Sequence, residues 1–217
     1  MKTQEMTHIF FVRHGQSIHN RDSIIGGQSE SPLTELGIEQ ARSLAKITRD
    51  VHFDAAYTST LSRAYDTCNI ICEGRKPTAK RLDDLREQDY GDWEDKDYRD
   101  LVKSQPDMFK KFRKDPLHTR PGGGESLAEM AQRVRGVVFD KIIAEHEGQH
   151  ILCVCHGGVI RTALCLLLDM NLSKHFFLFD VANASLSVVR LGPFGTQLLG
   201  LSMRDAKFWR FDGQLID

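Results

Sequence analysis

The sequence predicts an α/β fold, a three-layer α/β/α sandwich around a largely parallel sheet. Short continuous apolar runs, which are typical of buried strands, alternate along the chain with stretches whose apolar residues recur every three to four positions. This alternation indicates βαβ units and therefore parallel strands. No internal repeat, low-complexity tract or Pro- and Ser-rich linker interrupts the 217 residues, so we expect one domain spanning residues 1–217.

The first half of the chain supplies two predicted strands and two predicted helices. The run from Ile9 to Val12 is short, apolar and followed closely by a glycine, as expected of a buried strand. Thr34 can cap a helix whose apolar stripe extends from Ile38 to Thr48. A second strand is predicted at 53–57, and a second helix at about 61–72.

The second half resumes the alternation after a charged stretch, 81–120, in which the periodicity weakens. Ser126 and Glu129 form a capping box at the start of a long helix. The elements predicted beyond it are a strand at 151–155, an apolar helix at 159–168, and strands at 186–191 and 197–201 around a Gly-Pro-Phe-Gly turn.

Composition excludes several classes of protein. A content of 41% hydrophobic and 27% charged residues is that of a globular chain, and a formal charge of −1 argues against a globally basic nucleic-acid binder. The longest apolar stretch in the helical part, 163–168, is far shorter than a membrane span, and the polar segment 1–8 leaves no room for a signal peptide. Five cysteines, two of them inside an apolar run, indicate reduced core thiols in a cytoplasmic protein.

Two of the predicted strands end on a histidine followed by glycine, Arg13-His14-Gly15 and His156-Gly157-Gly158. In α/β sheets the ligand site lies at the carboxyl ends of the strands, and glycine lets the backbone approach a ligand closely. Arg63 falls in the first turn of a predicted helix, where the helix dipole favours anions rather than cations. Together with Arg13, it is interpreted as half of an anion clamp.

These motifs resemble those of the histidine phosphatase superfamily, in its phosphoglycerate mutase-like branch. The resemblance rests on Arg13-His14-Gly15, Arg63, Leu85-Arg86-Glu87 and 155–158, four elements in the right order at the right element boundaries. It extends from about His8 to Val189. The connecting segments 32–37 and 121–126 also resemble those of the family.

The resemblance implies a phosphoglycerate mutase-like fold and phosphoryl transfer through a phosphohistidine. His14 matches the nucleophile, Glu87 the proton donor, and His156 a second catalytic histidine that contacts the phosphate. It implies no cofactor and no metal. The other residues that match phosphate- or substrate-binding positions are Arg13, Asn20, Gly26, Gly27, Arg63 and Gly157.

The chemistry sets different requirements for these groups. His14 must be neutral to attack, a protonated His156 could donate to the phosphate, and Glu87 must carry a proton for the leaving oxygen. Between residues 83 and 100 there are nine acidic and three basic residues, and like-charge repulsion from them would raise the pKa of a carboxylic acid. A solvated surface loop is the alternative interpretation of that segment.

Other functions fit the sequence less well. No His-Glu-x-x-His or paired Cys-x-x-Cys spacing predicts a metal hydrolase, and the glycines at 122–124 lack the Lys-Ser/Thr of a phosphate-binding P-loop, so a mobile loop before the capped helix is expected there. A catalytically inactive binding module is disfavoured because His14, Arg63 and Glu87 are all present. The short stretch between 90 and 121 resembles phosphatases rather than mutases, which remain the alternative.

The substrate expected is a small-molecule phosphomonoester, with no nucleic-acid or membrane partner. Residues 103–120 include six basic and two acidic side chains, which either steer a multiply charged substrate or form the solvated face of a short helix. Sequence patterns do not discriminate among sugar phosphates and phosphorylated acids, and they do not indicate an oligomeric state.

Overall fold

The computed structural model describes residues 6–205, and its centre is one six-stranded sheet. The strands are β1 (Thr7–Arg13), β2 (Ala55–Ser59), β3 (Lys80–Leu82), β4 (His150–Cys155), β5 (Leu186–Gly192) and β6 (Gly195–Met203). The order across the sheet is β3-β2-β4-β1-β5-β6; β3, β2, β4 and β1 pair in parallel, whereas β5 is antiparallel to both of its neighbours, β1 and β6.

Helices cover both faces of the sheet, which confirms the predicted α/β/α class. The helices are α1 (Ile18–Asp22), α2 (Glu35–Ile47), α3 (Ser62–Cys72), α4 (Tyr98–Ser104), α5 (Pro106–Lys114), α6 (Leu127–Arg135), α7 (Gly157–Leu167) and α8 (Leu172–His175). On one face of the sheet Ile9 and Phe11 of β1 pack in a core with α6 and α7, and on the other face Phe10 and Val12 pack with α2 and α3.

The charged stretch 81–120 contains more regular structure than its weak periodicity indicates. Strand β3 lies at the sheet edge and is only three residues long, so it carries no apolar pattern. Helices α4 and α5 bury few side chains, chiefly Leu101, Phe109 and Phe112, which pack on Trp93 as a small core of their own.

Several predicted boundaries shift. Strand β2 begins at Ala55 rather than residue 53, and β6 is longer than predicted because its outer residues pair with β5 without being apolar. Helix α6 begins at the predicted capping box, then continues from Gly136 to Ile143 as a π-helix. The expectation about residues 1–8 falls partly on residues 1–5, outside the described range.

The Gly122–Gly124 segment forms a tight turn against 89–93. The backbone of Gly122 and Gly124 lies so close to that of Tyr90 and Asp89 that a Cβ atom at either glycine would overlap a carbonyl oxygen. The glycines therefore serve a close backbone approach. In addition, none of the helices between residues 6 and 205 is both long enough and apolar enough to cross a membrane.

Candidate active site

Sheet register brings the two predicted histidines together. Arg13 at the end of β1 is the partner of Cys155 at the end of β4, so the next residues, His14 and His156, leave the sheet side by side. Their ring centroids are 5.0 Å apart. His14 is 3% exposed and His156 is fully buried. The parallel pairing of β1 and β4 thus assembles a histidine pair from two motifs more than 140 residues apart in the chain.

The hydrogen bonds of His14 fix its reactive nitrogen. Nδ1 lies 2.7 Å from the carbonyl oxygen of Gly15, which only accepts, so Nδ1 carries the proton and Nε2 holds the lone pair. The turn needs glycine, because a Cβ at Gly15 would overlap the carbonyl oxygen of Gly37. Burial lowers the pKa of His14 well below its ordinary value, and the charges of Arg63 and Arg13 lower it further. His14 is therefore held neutral, as a nucleophile requires.

The surroundings of His156 also favour the neutral form. Burial lowers its pKa well below the ordinary value, and Arg63, His14 and Arg13 act in the same direction. Full burial and two nearby guanidinium groups therefore disfavour the protonated His156 of the sequence prediction. The pKa values of the two histidines are shifted in the same direction rather than apart.

A neutral His156 still has a donor to offer. Its Nε2 lies 2.8 Å from Oγ of Ser59, a hydroxyl that also accepts from the backbone N–H of Leu61. When the Ser59 hydroxyl donates to Nε2, the imidazole proton is on Nδ1. That atom is buried and has no hydrogen-bond partner among residues 6–205. An orphaned buried donor of this kind is suited to an anion.

The two arginines are held by backbone carbonyl groups rather than by carboxylates. Arg63 donates from Nη1 to Ser29 at 2.8 Å and from Nη2 to Gly27 at 2.6 Å. Arg13 donates from Nη1 to Val181 at 2.6 Å, and its buried Nε has no partner among the described residues. Neutral carbonyl groups orient the guanidinium groups without cancelling their charge. Both are free to balance an anion, which supports the predicted clamp.

Glu87 is positioned by backbone N–H groups on two sides. Its Oε1 accepts from Gln88 at 3.0 Å and its Oε2 from Gly158, in the first turn of α7, at 3.1 Å. Arg13 and Arg63 both interact electrostatically with its carboxylate. The acidic residues around it in the chain make contacts elsewhere: Asp83, for example, accepts from the Thr60 hydroxyl.

Arg133 on α6 fixes the segment that carries Glu87. Its guanidinium donates to the carbonyl oxygens of Asp84 at 2.7 Å, Arg86 at 2.9 Å and Glu87 at 3.4 Å. It also forms a half-buried ion pair with Glu125 at 2.7 Å. Sequence reasoning missed this residue, because nothing in an amphipathic helix distinguishes an arginine that turns back onto a loop.

The remaining predicted contacts lie on α1 and on the loop that follows it. Asn20 accepts at Oδ1 from Nδ2 of Asn183 at 2.9 Å. The N–H groups of the Asn20 side-chain amide, at Nδ2, have no partner among the described residues. Gly26 lies beside the Arg63 guanidinium. Gly27 has a φ of 47°, and a Cβ there would overlap the Glu94 carboxylate. Sequence reasoning also missed Ser59, Thr67 and Asn183, which hold His156, Gly15 and Asn20.

These groups line a cavity of about 400 Å³ whose lining residues form two unlike sets. The set that we call the phosphate end consists of Arg13, His14, Asn20, Arg63 and Glu87, with Gly26 and Gly27 beside them. The second set, which we call the aromatic wall, was not foreseen. It consists of Tyr90, Trp93, Tyr98, Phe109, Phe112 and Phe177.

Two predicted residues do not line this cavity. His156 is fully buried and its ring packs edge-on against that of His14, and Gly157 packs on the Arg13 guanidinium, where a Cβ would lie 3.4 Å from Nε. Of the six basic side chains of 103–120, Arg113 alone lines it. Within residues 6–205, no three His, Cys, Asp or Glu side chains converge so as to hold a metal ion.

Comparison with known proteins places the chain in a family. The histidine phosphatase superfamily (branch 1) matches residues 9–203. Phosphoserine phosphatase 1 of Hydrogenobacter thermophilus is 32% identical, covering 91% of this chain and 93% of that protein. The 2,3-bisphosphoglycerate-dependent phosphoglycerate mutase 2 of Gloeobacter violaceus is 35% identical, covering 73% of this chain and 74% of that protein.

A solved structure has the same fold. The crystal structure of the alpha-ribazole phosphatase from Shigella flexneri superposes with a TM-score of 0.83 at 29% identity, over 91% of this chain and 96% of that one. The chain therefore belongs to the histidine phosphatase superfamily (branch 1), which confirms the family, the α/β fold class and the enzyme class, a phosphatase, that the motifs predict.

Proposed function

We propose that this protein is a metal-independent phosphomonoesterase that hydrolyses small phosphorylated metabolites through a phosphohistidine intermediate. The observation that carries the proposal is the orientation of His14. Its Nδ1 is occupied by the Gly15 carbonyl, so the free lone pair is on Nε2, in a cavity shared with two arginines whose hydrogen bonds within the described residues go to backbone carbonyl groups. A dianionic phosphate fits between these charges without a metal.

In the first half-reaction, Nε2 of His14 attacks phosphorus and the bond from phosphorus to the alcohol oxygen breaks. Arg13 and Arg63 balance the charge on the transferred oxygens, and Nδ1 of His156 donates to one of them. Glu87 gives its proton to the leaving oxygen, so the alcohol departs neutral. A phosphate dianion beside Glu87 favours the protonated form that this step needs.

In the second half-reaction, water attacks the phosphorus of phosphohistidine-14. Glu87, now a carboxylate, accepts the proton of that water, and the bond from phosphorus to Nε2 breaks. Inorganic phosphate leaves and His14 is again neutral. The backbone N–H groups of Gln88 and Gly158 stabilise the carboxylate form of Glu87 that this step uses.

A phosphoglycerate mutase-type transferase is the second candidate, because a mutase is 35% identical to this chain. It would pass the phosphoryl group from His14 back to a sugar acid instead of to water. The segment from Tyr90 to Pro121 favours the phosphatase, since it is short and resembles the phosphatase side of the family. A small-molecule substrate and a cytoplasmic location are part of the proposal, the latter supported by five free thiols.

The test is turnover of a panel of phosphomonoesters in the presence of excess chelator, with His14→Ala prepared in parallel. The panel contains p-nitrophenyl phosphate, phosphoserine, 3-phosphoglycerate and a sugar bisphosphate. The proposal predicts release of inorganic phosphate at a rate that chelation leaves unchanged. Activity that disappears on chelation and returns with Mg²⁺ or Zn²⁺ would overturn it, and formation of 2-phosphoglycerate without free phosphate would favour the mutase.

A further inference from the structure

The end of the cavity that would receive the leaving alcohol is aromatic. Apart from the phosphate end, the cavity is lined chiefly by the six rings of the aromatic wall, and Arg113 is the one permanently charged side chain among the described lining residues outside the phosphate end. A phosphorylated amino acid or sugar acid would bring a carboxylate, an ammonium group or several hydroxyls against these rings. Such groups lose hydration there and find few partners.

Three of the rings form a rigid base for the wall. Trp93 and Phe109 stack with centroids 4.8 Å apart and planes within 9°, and Phe112 meets Trp93 edge-on at 6.0 Å. These three side chains are at most 9% exposed. Trp93 is also held by a hydrogen bond from Nε1 to the Gln105 side chain at 2.9 Å. The wall is therefore fixed by its own packing before any ligand enters.

Two further rings stand at the cavity mouth and are not needed for that packing. Tyr98 is 42% exposed and Phe177 is 58% exposed, yet both line the cavity. Tyr98 is anchored edge-on against Phe109 at 5.2 Å, and Phe177 against the buried Phe176 at 5.0 Å. They come from segments about 80 residues apart, on α4 and just after α8. Exposed large rings that converge on one cavity mark a binding surface.

We propose that the alcohol portion of the preferred substrate carries a planar, apolar ring system, which lies on the aromatic wall between Tyr98 and Phe177. This inference rests on the proposed function, hydrolysis of a phosphomonoester at the phosphate end. A cavity of about 400 Å³ is in the range that accepts a multi-ring ligand, roughly 300–1,000 Å³. A phosphorylated three-carbon acid would leave most of the wall without contact.

The test compares 1-naphthylmethyl phosphate with ethyl phosphate and phosphoserine. The first two release alkoxides of similar basicity, so a difference in kcat/KM between them reports contacts of the ring rather than leaving-group chemistry. We expect kcat/KM for the naphthylmethyl ester to exceed both others by at least about 30-fold, as several apolar and aromatic contacts would give. Similar values for the three esters would overturn the inference and leave the phosphatase intact.

Substitution of one exposed ring links the preference to the wall. Phe177→Ala should lower the ratio of kcat/KM for naphthylmethyl over ethyl phosphate by about tenfold, or about 1.4 kcal/mol. Leu178→Ala is the matched control: Leu178 is adjacent, 65% exposed and outside the cavity lining, and its loss should leave the ratio unchanged. An unchanged ratio in Phe177→Ala, or an equal fall in Leu178→Ala, contradicts the proposal.

A binding measurement separates failure of this inference from failure of the proposed function. Calorimetry with 1-naphthylmethylphosphonate and ethylphosphonate, which have no ester bond to hydrolyse, does not require turnover. Tighter binding of the naphthyl compound to the wild type, weakened in Phe177→Ala, is expected even if every ester proves inert. Equal affinities would exclude the ring site whatever the esters do.

Discussion

The phosphate end takes its side chains from strand ends and from the segments that follow them, whereas the aromatic wall takes its rings from short helices and turns that pack on one another. At the phosphate end His14, Arg13 and Arg63 are each fixed by a backbone carbonyl group. In the wall, Trp93 and Phe109 are fixed by each other. The difference teaches that the residues that react with phosphate and the residues that select the alcohol are held by separate sets of contacts. Each set can therefore be altered without the other.

Removal of the nucleophile should have the largest effect, and the size of that effect should not depend on whether the ester contacts the aromatic wall. We expect His14→Ala to lower kcat by about 10⁴-fold or more on every ester, because no other group supplies the attacking lone pair. Steady-state kinetics on naphthylmethyl and ethyl phosphate measure this. Thermal unfolding of the same variant checks that the fold persists. A loss confined to one ester would mean that the two ends are not independent.

Glu87 belongs to the phosphate end, and the effect of its removal should depend on the leaving group. General acid catalysis contributes about 10²–10⁴-fold, so Glu87→Gln should slow alkyl esters by that order. It should slow p-nitrophenyl phosphate much less, provided that phosphoryl transfer to His14 limits the rate, because p-nitrophenolate leaves without a proton. The measurement is kcat/KM on both ester types.

Arg63 provides the comparison for Glu87. It would contact the transferred phosphoryl group, which is common to all esters, so Arg63→Lys should reduce both ester types by similar factors. Equal losses for Glu87→Gln on both esters would remove Glu87 as the acid. Asp83, Asp84 or Asp89 would then be the next candidates in the same segment.

Loss of Arg133 should reproduce, in weaker form, the leaving-group dependence of kcat/KM that is expected for Glu87→Gln. Arg133→Met removes the donors for three carbonyl groups of 84–87 and leaves Glu125 without its partner. We expect kcat/KM to fall by about tenfold on alkyl esters, less on p-nitrophenyl phosphate, and unfolding free energy to fall by about 1–3 kcal/mol.

A matched variant lies two residues away on the same helix. Arg135 is exposed, and its guanidinium lies over the Phe139 ring without a hydrogen bond or ion pair to the described residues. Arg135→Met should therefore leave kcat/KM on both ester types unchanged. Partial recovery in Arg133→Lys would support a positioning role. If Arg133→Met lost stability alone, with an unaltered leaving-group dependence, its contacts would be structural only.

The smallest expected effect concerns stability and pH. The pKa of His14 and of His156 is lowered in the folded protein, and that of His8 is lowered to about 4. Below about pH 6.5 the unfolded chain gains protons that the folded protein does not, so stability falls as the pH is lowered. Each such histidine contributes about 1.4 kcal/mol per pH unit, down to its folded-state pKa.

Urea unfolding at pH 7, 6 and 5 measures this dependence. His14→Asn should flatten it by about one proton, which is about 1 kcal/mol between pH 6.5 and 5.5. The sign follows from a buried histidine kept neutral between two arginines. Stability that rises from pH 7 to 5, or an unaltered slope in His14→Asn, would contradict the neutral histidine pair.

Sequence reasoning predicts the phosphate end better than the wall. The strand-end motifs at His14 and His156 are contiguous, and the parallel pairing of β1 with β4 brings them together as expected. Ser59, which bonds His156, and Thr67, which accepts from the Gly15 N–H, are common residue types with no pattern of their own. The lowered pKa of His156 depends on its burial and on its proximity to Arg63, neither of which a motif reveals.

The aromatic wall was missed for a physical reason. Its rings come from 90 to 112 and from Phe177, and in the chain each looks like an ordinary core or surface aromatic residue. In the sequence, the basic charge of 103–120 is a clearer pattern than its phenylalanines, although Phe109 and Phe112 line the cavity and only Arg113 among its basic residues does. Dispersed apolar contacts become a site only when the fold brings them together.

The most direct test of the central claim is chemical capture of the intermediate. Rapid mixing of the wild type with ³²P-labelled substrate, followed by a base quench, should trap up to one phosphoryl group per chain. It should be stable to base, labile to acid, and located by mass spectrometry on Nε2 of His14, with no label in His14→Ala. Label that is stable to acid and lies on serine, or equal labelling of the wild type and of His14→Ala, would contradict covalent catalysis by His14.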